Sequence, residues 1–197
     1  EKYSEKSATK IRTIEILSAF DMLCLVILVI VQTLMAMKMA VKNKLLEQRA
    51  YTDAHTGLPN KGACEALLRD QDTIVEPTAC IMFDLNNLKT ANDTMGHSAG
   101  DQLILNFARL LRNVIPEKDF VGRYGGDEFV LVLPEIKEAG LVEKLQEIQE
   151  KIQNAVIPRY SNIQLSVSMG AVISQNESVE HAMLRAHKLM YQAKNKK

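Results

Sequence analysis

The chain has 197 residues, 47% of them hydrophobic, which suits one globular domain plus an additional element, with a core that needs no disulfide or structural metal. Lys and Arg total 24 and Asp and Glu total 24, so the formal charge is zero, and the basic stripe of a duplex-DNA binder is absent; no nucleic-acid partner is expected. Cys24, Cys64 and Cys80 are odd in number, far apart and not spaced as metal ligands, so they are expected as reduced apolar residues.

In chain order, residues 1–13 read as a juxtamembrane segment and residues 14–39 as a transmembrane helix. No charge falls between Asp21 and Lys38, and the run Met22-Leu23-Cys24-Leu25-Val26-Ile27-Leu28-Val29-Ile30-Val31 is apolar on every helical face. The competing reading is a buried or oligomer-core helix of a soluble protein. The stretch is too long for a signal peptide. Lys2, Lys6, Lys10 and Arg12 flank one end and Lys38, Lys42, Lys44 and Arg49 the other, so charge does not decide the orientation. Residues 40–51 lack Gly and Pro and are expected to continue as a helical linker able to pair with a second copy. Because the chain begins at Glu1 rather than Met, it is expected to be a piece of a longer protein with a sensor domain upstream.

Residues 52–197 carry the globular pattern. Gly57-Leu58-Pro59-Asn60 is a turn, followed by a helix over Lys61–Asp70. Strands are predicted over Ala79–Phe83, Phe120–Tyr124, Phe129–Leu133 and Gln164–Ile173, and helices over Asp101–Val114, Lys137–Ala155 and Val179–Ala193. The order βαββαβ followed by a helix predicts an α/β (α+β) domain of ferredoxin-like type, a four-stranded sheet with helices on one face.

Three polar features interrupt this frame. Gly125-Gly126 joins two short strands as a hairpin turn, leaves room for a ligand, and is followed by Asp127 and Glu128. Taken alone, this could equally be a solvated polar turn. Asp84, at the end of an apolar strand, adds a third carboxylate, and such a set suits Mg²⁺, which binds one or two carboxylates together with substrate phosphates. The segment Asn86 to His97 is polar and leads into a helix expected to be capped by Ser98 or Asp101. Its N–H groups could cradle phosphates, Lys89 could offset their charge, and Asn92 and Asp101 could read a purine edge.

Over residues 50–197 the chain resembles the GGDEF family of diguanylate cyclases. The resemblance rests on Asp53-Ala54-His55-Thr56-Gly57-Leu58-Pro59-Asn60-Lys61, on Phe83-Asp84-Leu85, on Asn92-Asp93-Thr94-Met95-Gly96-His97-Ser98-Ala99-Gly100-Asp101, on Arg123-Tyr124-Gly125-Gly126-Asp127-Glu128-Phe129, on Ser168-Met169-Gly170, and on Leu189-Met190-Tyr191-Gln192-Ala193-Lys194. It implies a nucleotidyl-cyclase-type domain that condenses two GTP into cyclic di-GMP. Asp84, Asp127, Glu128 and the Leu85 carbonyl would hold two Mg²⁺ ions, with Mn²⁺ as a substitute. Asp127 would also accept the proton of the attacking hydroxyl, and Lys89 would stabilise the transition state. Asn92 and Asp101 would bind guanine, Lys194 the triphosphate, and Gly125 and Gly126 would give the substrate room. Each domain holds one GTP, so a homodimer is implied. Nucleoside triphosphates place the domain on the cytoplasmic side of the inner membrane.

The chain departs from the family pattern at His55, Lys61, Asn86 and Asn87, and the Arg expected four residues after Lys194 lies past the last residue. The family's inhibitory Arg-x-x-Asp pattern would fall on Pro116 and Asp119. Proline offers neither charge nor donor, so weak product inhibition is expected. His181 and His187 match no motif and receive no role. The rival readings are a catalytically silent module that binds GTP or cyclic di-GMP, and a cyclase making a mixed purine dinucleotide, against which Asp101 argues.

Overall fold

The computed structural model describes residues 2–70, 77–116 and 118–195. Helix α1 (Lys2–Tyr51) merges the three predicted N-terminal segments into one element, and contact clustering divides the chain into Glu1–Gln48 and Arg49–Lys197. In the first unit Leu23, Leu25, Val26, Ile27 and Leu28 are each more than half exposed. Successive residues of a helix point in different directions, so this surface is apolar all round rather than on one stripe. The stretch Glu15–Tyr51 is long and apolar enough to cross a membrane.

The second unit is built on four strands, β1 (Thr78–Leu85), β2 (Phe120–Arg123), β3 (Glu128–Leu133) and β4 (Val167–Ser174), in the order β2-β3-β1-β4 with every neighbouring pair antiparallel. Its helices are α2 (Lys61–Arg69), α3 (Leu88–Met95), α4 (His97–Val114), α5 (Glu138–Gln153) and α6 (Val179–Lys194). This is the predicted ferredoxin-like α+β arrangement, with α2 added before it and α6 after.

The expectation of helices on one face is corrected. Ile81, Phe83, Leu85, Phe129, Leu131 and Leu133 share a core with α4 and α5, while Cys80, Met82, Val130 and Val132 share a second core with α2 and α6. Strands covered on both faces read as unbroken apolar runs, and such a run does not reveal how many helical layers cover it. On the first face Phe107 of α4 stands edge-on between Phe83, at 5.6 Å, and Phe129, at 5.0 Å. Cys64 and Cys80 are buried in the second core, and burial pushes both thiols up to about 12, which suits the inert apolar role expected of them.

Two local expectations also change. The polar segment after β1 is itself helical: α3 fills most of it, and α4 starts four residues earlier than expected. Gly96, with φ 85°, is the break between the two, and neither Ser98 nor Asp101 caps α4. Gln164 lies ahead of β4 and makes an isolated bridge to Val156.

Helix α6 lies directly on the sheet at Gly170. A Cβ there would stand 2.1 Å from the Ala186 carbonyl oxygen and 2.4 Å from the Met190 nitrogen. Neither backbone atom can yield without lifting the helix. Gly170→Ala is therefore expected to cost about 3 kcal/mol, at the upper end of overpacking penalties, measured by chemical denaturation. A loss below about 1 kcal/mol would show that α6 shifts freely.

Candidate active site

The acids are positioned by strand register. Asp84 on β1 lies directly opposite Glu128 on β3, and opposed residues of an antiparallel pair share a face. That face also carries Cys80, Met82, Val130 and Val132, so both carboxylates point to the side covered by α6. Asp84 is only 4% exposed. Lys194, in the last turn of α6, donates to Asp84 Oδ2 at 2.8 Å and stands 2.7 Å from Oδ1. Oδ1 is thus in ion-pair contact with the ammonium, without hydrogen-bond geometry.

Burial pushes the Asp84 carboxyl up from its ordinary value. The nearby charges of Asp127 and Glu128 push in the same direction, and together these outweigh Lys194. The Lys194 ammonium is raised, first by its hydrogen bond to Asp84 and then by the charges of Asp84, Asp127 and Glu128. The pair is thus lopsided: the lysine gains from its surroundings, while burial, reinforced by the neighbouring acids, holds the aspartate carboxyl up.

The hairpin turn is held from both ends. Tyr124 and Gly125 N–H groups donate to the Glu128 carbonyl, and the Leu85 N–H donates to the Asp127 carbonyl at 3.0 Å, tying the turn to the end of β1. Arg123 closes the other side. Its Nε donates to the Gly125 carbonyl at 3.1 Å, its Nη2 to the Gly126 carbonyl at 2.7 Å, and its Nη1 to both oxygens of Asp53. Asp53 in turn accepts from the Thr56 N–H and hydroxyl. The two glycines differ in purpose. A Cβ on Gly125 would lie 2.9 Å from Glu128 Oε2, whereas one on Gly126 would meet nothing within 4 Å.

A cleft of 550 Å³ opens beside the turn, lined by Leu85, Asn86, Asn87, Leu88, Lys89, Thr90, Asp127, Ser166 and Lys194. Asn87, at φ 61°, starts α3 without a side-chain cap, so the first-turn N–H groups of that helix face an anion-compatible mouth. Asn86 is fixed by donating to Ser166 Oγ and accepting from Ser168 Oγ. Asp127, Lys89, Lys194 and Leu85 therefore meet at one cavity, with Asp84 behind Lys194 and Glu128 on the α6 side of the turn. Asn92 and Asp101 do not join them. The Asn92 Oδ1 is buried without a hydrogen-bond partner and presses on Gly100, where a Cβ would come within 2.2 Å. Asp101 is exposed in a separate hollow of 280 Å³ that also holds His55, whose Nε2 is 3.9 Å away.

The donor set fits a hard divalent ion. It offers a buried carboxylate, a neighbouring turn carboxylate, and a lysine already supplying positive charge at that point. Among the described residues, no three His, Cys, Asp or Glu side chains gather into a closed cage.

Sequence reading overlooked Arg123 and Asp53 as the clamp on the turn, though both lie in quoted motifs, and overlooked His187. His187 Nε2 lies 3.2 Å from Glu128 Oε1. The available signal was its position seven residues before Lys194, two turns up the same helix.

For the clamp, Asp53→Ala removes a partly buried carboxylate that accepts charge-assisted bonds, and a loss of about 2 kcal/mol is expected, lowering Tm by about 6 °C. Burial raises the Asp53 carboxyl, but the Thr56 hydrogen bonds and Arg123 more than reverse this, leaving it below its ordinary value of 3.8. Its contribution is therefore present above the unfolded value and disappears as pH falls through the folded one. Melting curves of the two proteins should differ at neutral pH and converge only below about pH 4. Curves that already coincide at neutral pH would remove Asp53 from the account of the turn's stability.

Comparison with known proteins agrees with this geometry. The family model described as "Diguanylate cyclase, GGDEF domain" matches residues 50–197. The chain is 31% identical over 158 residues to the diguanylate cyclase DgcM of Escherichia coli, covering 76% of this chain and 37% of that protein. It is 30% identical over 163 residues to the signaling protein YkoW of Bacillus subtilis, covering 78% of this chain and 20% of that one. The chain thus spans well under half the length of these relatives. Among solved structures, the coiled coil and GGDEF domain of DgcB from Caulobacter crescentus, in complex with c-di-GMP, superposes with a TM-score of 0.74 at 26% identity, over 84% of this chain and 91% of that one. With its motif acids abreast on two paired strands and its residues from 50 onward matched by the family model, the chain belongs to the GGDEF-domain diguanylate cyclase family.

Proposed function

We propose that residues 52–197 condense two GTP molecules into cyclic di-GMP with release of two pyrophosphates. The observation that carries this reading is the meeting of Asp127, Lys89 and Lys194 in one cleft, beside the buried Asp84 carboxylate that Lys194 contacts. Asp84, Asp127, the Leu85 carbonyl and Glu128 would hold Mg²⁺, or Mn²⁺ in its place. When bound, such ions polarise the phosphoryl oxygens and favour ionisation of the attacking 3′-hydroxyl.

The rest of the work falls to the chain. Lys194 exchanges Asp84 for the triphosphate when substrate arrives, and Lys89 offsets charge that builds on the phosphoryl group. The uncapped start of α3 donates N–H groups to phosphate oxygens. Asp127 takes the proton of the 3′-hydroxyl. Asn92 and Asp101 bind guanine, with Asp101 accepting from its N1 and N2 donors. One domain holds one GTP, so closing the cyclic product requires two domains face to face, in a homodimer.

The second reading, a silent binding module, is disfavoured because Asp84, Asp127, Glu128, Lys89 and Lys194 are all present. Helix α1 supports a further part of the proposal. Its all-round apolar exposure suits lipid, so residues 14–39 would anchor the chain in the inner membrane, residues 40–51 would serve as linker, and the catalytic domain would lie in the cytoplasm with its substrate.

Asp127→Asn should leave the melting temperature of the protein within about 2 °C of wild type and lower cyclic di-GMP formation from GTP and Mg²⁺ at least about 100-fold, scored by chromatography of the products. Retention of most of the turnover would remove Asp127 from the mechanism. For the anchor, the intact chain is expected to sediment with membranes and to need detergent for release, while residues 49–197 stay soluble; recovery of the intact chain without detergent would reject the span.

A further inference from the structure

The paired acids raise a problem that Lys194 solves only in part. Asp84 and Glu128 are cross-strand neighbours on one face of the sheet, and like charges directly opposite each other repel. Helix α6 meets both. Lys194 bonds Asp84, and seven residues earlier His187 bonds Glu128 Oε1 through Nε2 at 3.2 Å. Seven residues are about two turns, or about 10.5 Å of rise, and bring the two side chains to nearly the same side of the helix.

The backbone that carries His187 is packed on the sheet, while its side chain is about half exposed. Its neighbour Ala186 is fully buried, and the Ala186 carbonyl rests on Gly170 so closely that no side chain fits between them. The imidazole is thus delivered from a backbone seated on the sheet. Its partner is oriented as well: with Oε1 engaged by His187, the other oxygen, Oε2, lies over Gly125, 2.9 Å from where a Cβ would stand. That position is open only because residue 125 is glycine.

We infer that His187 is a positioning residue: it holds one oxygen of Glu128 and so leaves the other beside Gly125, turned to help hold the divalent ion of the proposed cyclase. The inference rests on the proposed cyclase reading. His187 does not touch the reacting atoms and acts through Glu128. Carboxylates that ligate metals are commonly oriented by such outer partners, whose removal costs roughly 10-fold to 100-fold in metal affinity.

The test is a titration of Mn²⁺, followed by the electron paramagnetic resonance signal of the free ion, into the full chain in detergent at saturating non-hydrolysable GTP analogue. His187→Ala should weaken Mn²⁺ binding about 10-fold, and His187→Gln, whose amide nitrogen reaches as far as Nε2, should restore most of it. In a Glu128→Gln background, His187→Ala should change the affinity less than twofold. A merely structural role for His187 would weaken binding equally in both backgrounds, without rescue by glutamine, and would overturn the inference. Unchanged affinity in His187→Ala would overturn it too, with the cyclase reading left standing as long as the wild-type protein binds Mn²⁺ and forms product. A wild-type protein that binds no Mn²⁺ with the analogue and forms no product would remove both.

Discussion

A carboxylate that is 4% exposed, with two other acids close by, is the constraint around which this domain is arranged. A buried charge is tolerated only when it is paired and hydrogen-bonded, and removing its partner leaves an uncompensated charge. Here the compensation comes from the far end of the polypeptide, 110 residues away, through Lys194. Everything between serves that meeting. β1 runs through the middle of the sheet, β3 sets Glu128 opposite Asp84, and α6 crosses behind with its buried face of Ala182, Met183, Ala186 and Met190 against β1 and β4. Both Asp84 oxygens contact that one ammonium, and burial still holds the carboxyl above its ordinary value.

How the chain achieves this was partly visible beforehand. The strands and their order could be read because short apolar runs were separated by strong turn signals, and Gly125-Gly126 between Phe120–Tyr124 and Phe129–Leu133 marked the hairpin directly. The second helical layer was not legible. Ala79 to Phe83 is apolar at every position, so no alternation distinguished a face covered by α4 and α5 from one covered by α2 and α6. Helix α3 was hidden for a different reason. Its residues are mostly polar and short, as loop residues are, and its amphipathic character shows only through the single buried Ala91.

The site was legible to a different degree. Asp84, Asp127 and Lys89 stood out because nothing in packing required them. The clamp by Arg123 did not, because a guanidinium that holds backbone carbonyls leaves no trace in spacing; its partners are atoms every residue possesses. The same holds for His187, whose significance depends on which face of α6 meets the sheet. That face is set by Gly170, a residue on another element, β4.

The turn-holding arginine also bears on how such domains can be joined to other inputs. Arg123 is bonded to Asp53, and Asp53 lies two residues beyond the last residue of α1. Asn60 reinforces the same corner: its Nδ2 donates to the Ala50 carbonyl and its backbone N–H to the Tyr51 carbonyl. The stretch from Ala50 to Asn60 is therefore part of the hairpin's support rather than a neutral connector. An engineer grafting a different receptor onto this domain has to place the splice upstream of Ala50. A junction a few residues later would exchange the receptor and, with it, the strut beneath the turn, so a silent chimera would report on the splice rather than on the receptor.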